Sequence, residues 1–137
     1  MVGRKRHLLV DSTGLLLTVL VTAANVSDLA GAKKLLKGGK RRFPKLALVW
    51  ADSAYVGLVA WAKRFWNWVI ELKKRPPGAS GFVVIPRRWV VERTFAWLTR
   101  YRRLWRDSEV LPSVSETMIK VAMIHLMARR VFPAKRN

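Results

Sequence analysis

Leu46-Ala47-Leu48-Val49-Trp50-Ala51-Asp52 is the stretch that decides the fold class. A short, continuous apolar run that stops at an acid has the pattern of a central strand buried on both faces, with the acid at its carboxyl end. Tyr55 to Trp66 then has a helical pattern, and Trp68-Val69-Ile70-Glu71-Leu72 reads as the next strand. Towards the N-terminus, His7 to Val10 and Leu15 to Thr22 are apolar runs on either side of Asp11-Ser12-Thr13-Gly14, which predicts a β-hairpin. The apolar positions barely alternate there, so the hairpin strands are expected to be buried on both faces. Between the hairpin and the central strand, Ser27 or Asp28 can cap a helix through Leu29 to Leu36. Gly38-Gly39 ends it, and Lys40 to Pro44 reads as a basic loop.

Downstream, Lys73 to Gly81 is a basic, Pro/Gly-rich loop, and Phe82 to Pro86 is a short extended piece. Arg87 to about Trp105 predicts one long helix, with Val91, Phe95 and Leu98 as its apolar stripe. Arg88, Glu92, Ala96, Thr99 and Arg103 lie along a neighbouring, mostly polar face. Pro112 to Glu116 opens a last helix, in which Ser113 and Glu116 have capping-box spacing. It is apolar nearly all round from Met118 to Met127, the pattern of a helix that is buried or packed on a partner. The whole is an α/β chain, read as one domain over residues 1–137.

Composition narrows the function. Against 27 Lys plus Arg there are 8 Asp plus Glu, a formal net charge of +19. Such a chain repels itself unless a polyanion or counterions screen it, so nucleic acid is the first partner to expect and an anionic membrane surface the second. With no cysteine, disulfide frameworks, thiolate zinc sites and cysteine nucleophiles are excluded. The apolar runs are far short of a membrane span and no signal peptide is evident, which predicts a cytoplasmic protein. No Gly-x-Ser-x-Gly, Walker or dinucleotide glycine pattern is present. His125 lies in an apolar segment and reads as a satisfied core histidine rather than a catalytic base.

Carboxylate–metal chemistry is the stronger possibility. The acids are Asp11, Asp28, Asp52, Glu71, Glu92, Asp107, Glu109 and Glu116. Asp52 ends a strand, where α/β folds bind ligands, and Glu92 lies on an amphipathic helix. Magnesium takes oxygen ligands and commonly needs one or two carboxylates, and a pair of such ions assists phosphodiester displacement. The plainer reading has Asp52 capping the next helix and Glu92 paired with Arg88. A second constellation is basic: Arg87, Arg88, Arg93, Arg100, Arg102, Arg103 and Arg106, interleaved with Trp89, Trp97, Tyr101 and Trp105. Arginines contact phosphates and aromatics stack on unpaired bases. Its plainer reading is a solvated charged face with core tryptophans.

At these residues the chain resembles a family. Gly3-Arg4-Lys5-Arg6-His7-Leu8-Leu9-Val10-Asp11 with Gly14-Leu15-Leu16, then Thr22-Ala23-Ala24-Asn25-Val26-Ser27-Asp28, Trp50-Ala51-Asp52-Ser53-Ala54-Tyr55 and Pro86 to Leu98 resemble prokaryotic insertion-sequence transposases with a DDE triad. The resemblance implies an RNase H-like fold, a mixed sheet flanked by helices, and magnesium-dependent cleavage and transfer of DNA strands at transposon ends. It implies that Asp52 is the second catalytic Asp and Glu92 the catalytic Glu, both metal ligands; the basic segment is expected to hold DNA through Arg87, Arg88, Arg93, Arg100 and Arg103. Arg88 and Glu92 keep the spacing of the motif Tyr-x2-Arg-x3-Glu-x6-Lys; its Tyr and Lys positions are Ile85 and Thr99.

In the family the first catalytic Asp precedes the Gly-Arg-Lys-Arg segment, so the chain is expected to lack the first strand of that fold. Asp11 matches a turn residue instead. A truncated element, or one reading frame of a split gene whose upstream product supplies the third carboxylate, would account for this. The expected partners are therefore transposon-end and target DNA, with a homo-oligomer or an upstream-frame product possible, and no membrane. Two alternatives compete: a non-catalytic basic DNA-binding or regulatory module derived from a transposase, and an assembly protein that uses its tryptophans as interface.

Overall fold

The computed structural model describes residues 3–74, 77, 78, 80 and 89–133. They fall into two compact units, one drawn from Met1–Ala24 and Val90–Asn137 and the other from Asn25–Trp89. The expected α/β class holds. The strands form two two-stranded sheets, a hairpin and a parallel pair, where one mixed sheet was expected. The extended piece at 82–86, Arg87 and Arg88 lie outside the described residues.

In the first unit, β1 (Arg4–Val10) pairs antiparallel with β2 (Leu16–Ala23), with a register shift between Leu9 and Val10. The turn is built by Asp11. One of its carboxylate oxygens accepts from the Thr13 amide at 2.8 Å, the Thr13 hydroxyl at 2.7 Å and the Leu15 amide at 2.9 Å. Gly14 closes the turn at φ +89°, where an L side chain is strained, and a Cβ there would also lie 2.9 Å from Thr94 Oγ1. Burial on both faces holds for β2, where Thr18, Val19, Val21 and Thr22 are all buried.

Three helices cover this hairpin: α4 (Val90–Thr99), α5 (Arg102–Trp105) and α6 (Pro112–Val131). The single long helix expected to Trp105 is therefore two. Its ladder tightens where the Arg100 and Tyr101 amides bond the Trp97 and Leu98 carbonyls, and Tyr101 is then extended. Packing explains the break. Leu98 and Leu104 are six residues apart, so an unbroken helix would aim them ~120° apart. The break lets both join Val19, Val21, Ile119, Ala122 and Met123 in one core. The fully buried row of α4 is Val90, Thr94 and Leu98, with Val91 and Phe95 only half-buried beside it, so the expected stripe is rotated by one position.

The expected capping box on α6 does not form. Leu111 is the N-cap and Pro112 opens the helix, where its missing N–H costs nothing. Glu116 instead accepts from the Val21 amide at 2.9 Å, capping a backbone donor on β2. Buried Ser115 donates to Asp107 Oδ2 at 2.9 Å, and Arg4 pairs with the other oxygen at 3.4 Å.

The second unit begins with α1 (Asp28–Leu36). Ser27 is its cap, the hydroxyl accepting from the Ala30 amide at 3.2 Å. Gly38, at φ 73°, then turns the chain into a short helix, α2 (Gly39–Arg42), where a loop was expected. β3 (Leu48–Asp52) runs parallel to β4 (Val69–Lys73), with Asp52 opposite Lys73. A helical turn at Ser53–Tyr55 and α3 (Leu58–Trp66) connect them, so the helix proper begins later than Tyr55. β3 is not the doubly buried strand expected: Leu48 is exposed and Val49, Trp50 and Ala51 are half-buried, because among the described residues the strand is hydrogen-bonded to a single neighbour. Burial concentrates instead on Trp68 and Ala62, both 0% exposed, with Ile70, Leu35, Leu36 and Leu58. Trp66 packs in a T-shape on Trp61 and at a tilt on Trp68, with centroids 4.4 and 5.0 Å apart. Trp68 is core and Trp61 and Trp66 are half-buried against it, whereas Trp89 and Trp105 of the basic segment, read plainly as core, are exposed.

Candidate functional site

Asp52 stands where the strand pattern places it, at the carboxyl end of a parallel strand and exposed. Its Oδ1 accepts from the Ala54 amide at 2.8 Å, capping the turn at Ser53–Tyr55. Capping uses one carboxylate oxygen, so the structural role expected for this residue leaves the other oxygen for a ligand. Tyr55 follows on the same turn. Burial raises its pKa, and the negative charges of Asp28 and Asp52 raise it further. The phenol thus stays protonated at neutral pH and can donate a hydrogen bond. Leu29 of α1 packs where a Cβ at Gly57 would stand, 2.7 Å from Leu29 Cδ2, so the start of α1 lies against the Asp52 turn. The sequence reading used Asp28 only as a helix cap; its field at Tyr55 was not legible from spacing.

Glu92 is in the first turn of α4 and exposed. Asp52 and Glu92 belong to different compact units. Among the described residues no group of three or more His, Cys, Asp or Glu gathers where it could hold a metal. Asp52 and Glu92 supply the hard oxygen atoms that magnesium prefers, so the donor chemistry of each fits the expected ion.

Most of the other acids have structural partners. Asp11 is spent on the hairpin turn, Asp107 on Arg4 and Ser115, and Glu116 on the Val21 amide. Glu109 accepts from Arg103 at 2.8 Å, and Glu71 pairs with Lys73. Burial opposes the charged form of Asp11, but bonds from the Thr13 hydroxyl and the Leu15 and Thr13 amides outweigh it and hold the carboxyl below its ordinary value.

The arginines expected to meet DNA divide by environment. Arg100 is exposed. Arg103 is largely exposed while paired with Glu109. Arg93 is half-buried, donates to the Thr13 carbonyl at 2.7 Å and lies 4.8 Å from the Trp97 ring. Arg130 also lies over the same ring at 4.6 Å, so two guanidinium groups contact Trp97. Arg130, on α6, was missed because it is remote in sequence from the arginine-rich segment. Trp105 is 69% exposed with the Arg106 guanidinium 5.4 Å away, an aromatic–cation pair open to solvent.

The core reading of His125 does not hold. His125 is exposed rather than in the core, and its Nδ1 lies 2.8 Å from the Tyr101 hydroxyl. His7 is the buried one, 2.9 Å from the Thr22 hydroxyl. Among the described residues no helix is long and apolar enough to cross a membrane.

The profile of the family described as the transposase DDE domain matches residues 2–127. A putative transposase for insertion sequence element IS402 from Burkholderia cepacia is 36% identical over 112 residues, covering 74% of this chain and 52% of that protein. The chain thus spans about half the length of that relative. No solved structure matches the chain.

Proposed function

The chain belongs to the transposase DDE-domain family, and we propose that it contributes to transposition of an insertion sequence by metal-dependent cleavage and transfer of DNA strands. The observation that carries the reading is Asp52: an exposed acid at the end of a parallel strand, with one oxygen fixed by the turn it caps. In this reading Asp52 and Glu92 are catalytic carboxylates that hold magnesium, within an RNase H-like arrangement. Magnesium, when bound, polarises the attacking oxygen and stabilises the leaving one. The chain's own groups orient and neutralise. The Ala54 amide fixes the Asp52 carboxylate, and the Tyr55 phenol remains a donor beside it. Arg87, Arg88, Arg100 and Arg103 meet the phosphates, while Arg93 also anchors α4 to the hairpin turn.

The family needs a third carboxylate. We do not give that role to Asp11, which matches the family's turn residue and accepts three hydrogen bonds from the hairpin turn it sits in. We assign the third carboxylate to the segment that precedes Gly3 in the family's order, so that residues 1–137 by themselves do not complete the site. The test is DNA cleavage with magnesium by the isolated chain and its Asp52→Asn variant. No Asp52-dependent cleavage is expected; nicking by the chain alone that is lost in Asp52→Asn would show that no outside carboxylate is needed.

A further inference from the structure

Helix α6 carries two apolar faces. Ser115, Ile119, Ala122 and Met123 are buried against the hairpin unit. Diametrically opposite, Val114, Thr117, Val121, Ile124, Ala128 and Val131 are all exposed. Their spacing alternates three and four residues, the period of a coiled-coil seam, and none of them is charged. Val121, Ile124 and Val131 are 52%, 60% and 68% exposed, and Phe132 extends the stripe at 79%. Five of the six seam positions are β-branched and water-exposed, which is costly in a monomer and marks an interaction surface.

We propose that this stripe is the seam by which two copies of the chain associate, α6 against α6 in antiparallel orientation. The stripe is self-complementary about its midpoint. Inverting one copy sets Val114 against Val131, Thr117 against Ala128 and Val121 against Ile124, so large residues meet large and small meet small. Such an isologous contact uses the same patch twice and closes on itself. The flanks agree, because the inverted register sets Lys120 beside Met127 and Met118 beside His125. No like charges then meet across the seam, although each chain carries +19. The antiparallel order also opposes the two helix dipoles. The stripe is ~25 Å long at the rise of an α-helix, and with a helix ~10–12 Å across it can bury roughly 400–500 Å² per copy. That approaches the ~1,000 Å² total of a specific interface. The proposal does not depend on the catalytic reading.

The test is sedimentation velocity of the whole chain at low and high salt, on the parent and on Ile124→Lys and Val121→Lys. A dimer is expected, favoured by salt because salt screens the charge of the two chains. Each Lys variant should raise the dimer dissociation constant at least tenfold with an unchanged circular dichroism spectrum. The chain has no cysteine, so single replacements report the register cleanly. Val114→Cys mixed with Val131→Cys should cross-link on oxidation, and Val114→Cys alone should not. A monomer at every salt concentration, a dimer indifferent to both Lys variants, or a Val114→Cys homodimer would overturn the proposal. So would a monomer whose Ile124 is needed only for binding anionic lipid vesicles.

Discussion

Asp11 shows how a single residue can be read correctly for position and still be uninformative about chemistry. Its place in a Gly-containing turn was legible, because Asp and Gly serve different needs there: a side chain that accepts backbone donors, and a backbone that tolerates positive φ. The bonds that lower its pKa make a prediction with a definite sign. The folded-state value lies below the ordinary 3.8, so the stabilisation is present above that value and is lost as pH falls through the lower folded one. Asp11→Ala should cost about 1–2 kcal/mol at neutral pH, the net worth of a charge-assisted hydrogen bond or two. Thermal unfolding from pH 6 down to pH 2 should show the parent losing a pH-dependent component that the variant lacks. The histidines teach the opposite lesson. A residue among apolar neighbours on a helix can face either way, and the side of α6 that His125 occupies depends on Tyr101, a contact between distant residues.

At the scale of elements, the hairpin, the cap of α1, the parallel pair and the start of α6 were visible because each has a local signal. What sequence could not show was the cost of continuing. α4 stops at Thr99 because Leu104 must join the core that holds Leu98, and nothing local in 99–101 announces it. Thr94 is the plainest miss. It is fully buried, and its hydroxyl donates to the Gly14 carbonyl at 2.6 Å, so a polar residue occupies the centre of the buried row. Likewise Glu116 looked like a capping-box residue but serves β2. The junction of α1 and α2 gives a prediction. A Cβ on Gly39 would run into the ring of Trp68, which is wholly buried and cannot retreat into solvent. Gly39→Ala should destabilise the protein by ~1–3 kcal/mol, the usual cost of overpacking. Urea unfolding followed by tryptophan fluorescence measures it, and an unchanged midpoint would place the ring elsewhere.

For the whole molecule, net charge and family membership say more than any one contact. A charge of +19 with exposed Arg100 and Arg103 predicts DNA binding dominated by released counterions. If about 6–10 phosphates are contacted, affinity falls by roughly 10³–10⁵ between 50 and 200 mM salt. Arg100→Ala and Arg103→Ala should each reduce the slope of log affinity against log salt by about one, and a flat response would remove DNA as the partner. The site itself was legible only in parts. The strand-end place of Asp52 and the helical place of Glu92 were readable from pattern, while the arginines divide between exposed and anchoring environments in a way that no spacing predicts.

The most direct test of the transposase reading is magnesium-dependent cleavage of transposon-end DNA by the chain together with the segment that precedes Gly3 in the family. The account predicts cleavage with both components present, and its loss by several orders of magnitude in Asp52→Asn and in Glu92→Gln while DNA affinity stays unchanged. Cleavage that persists in both variants would contradict it.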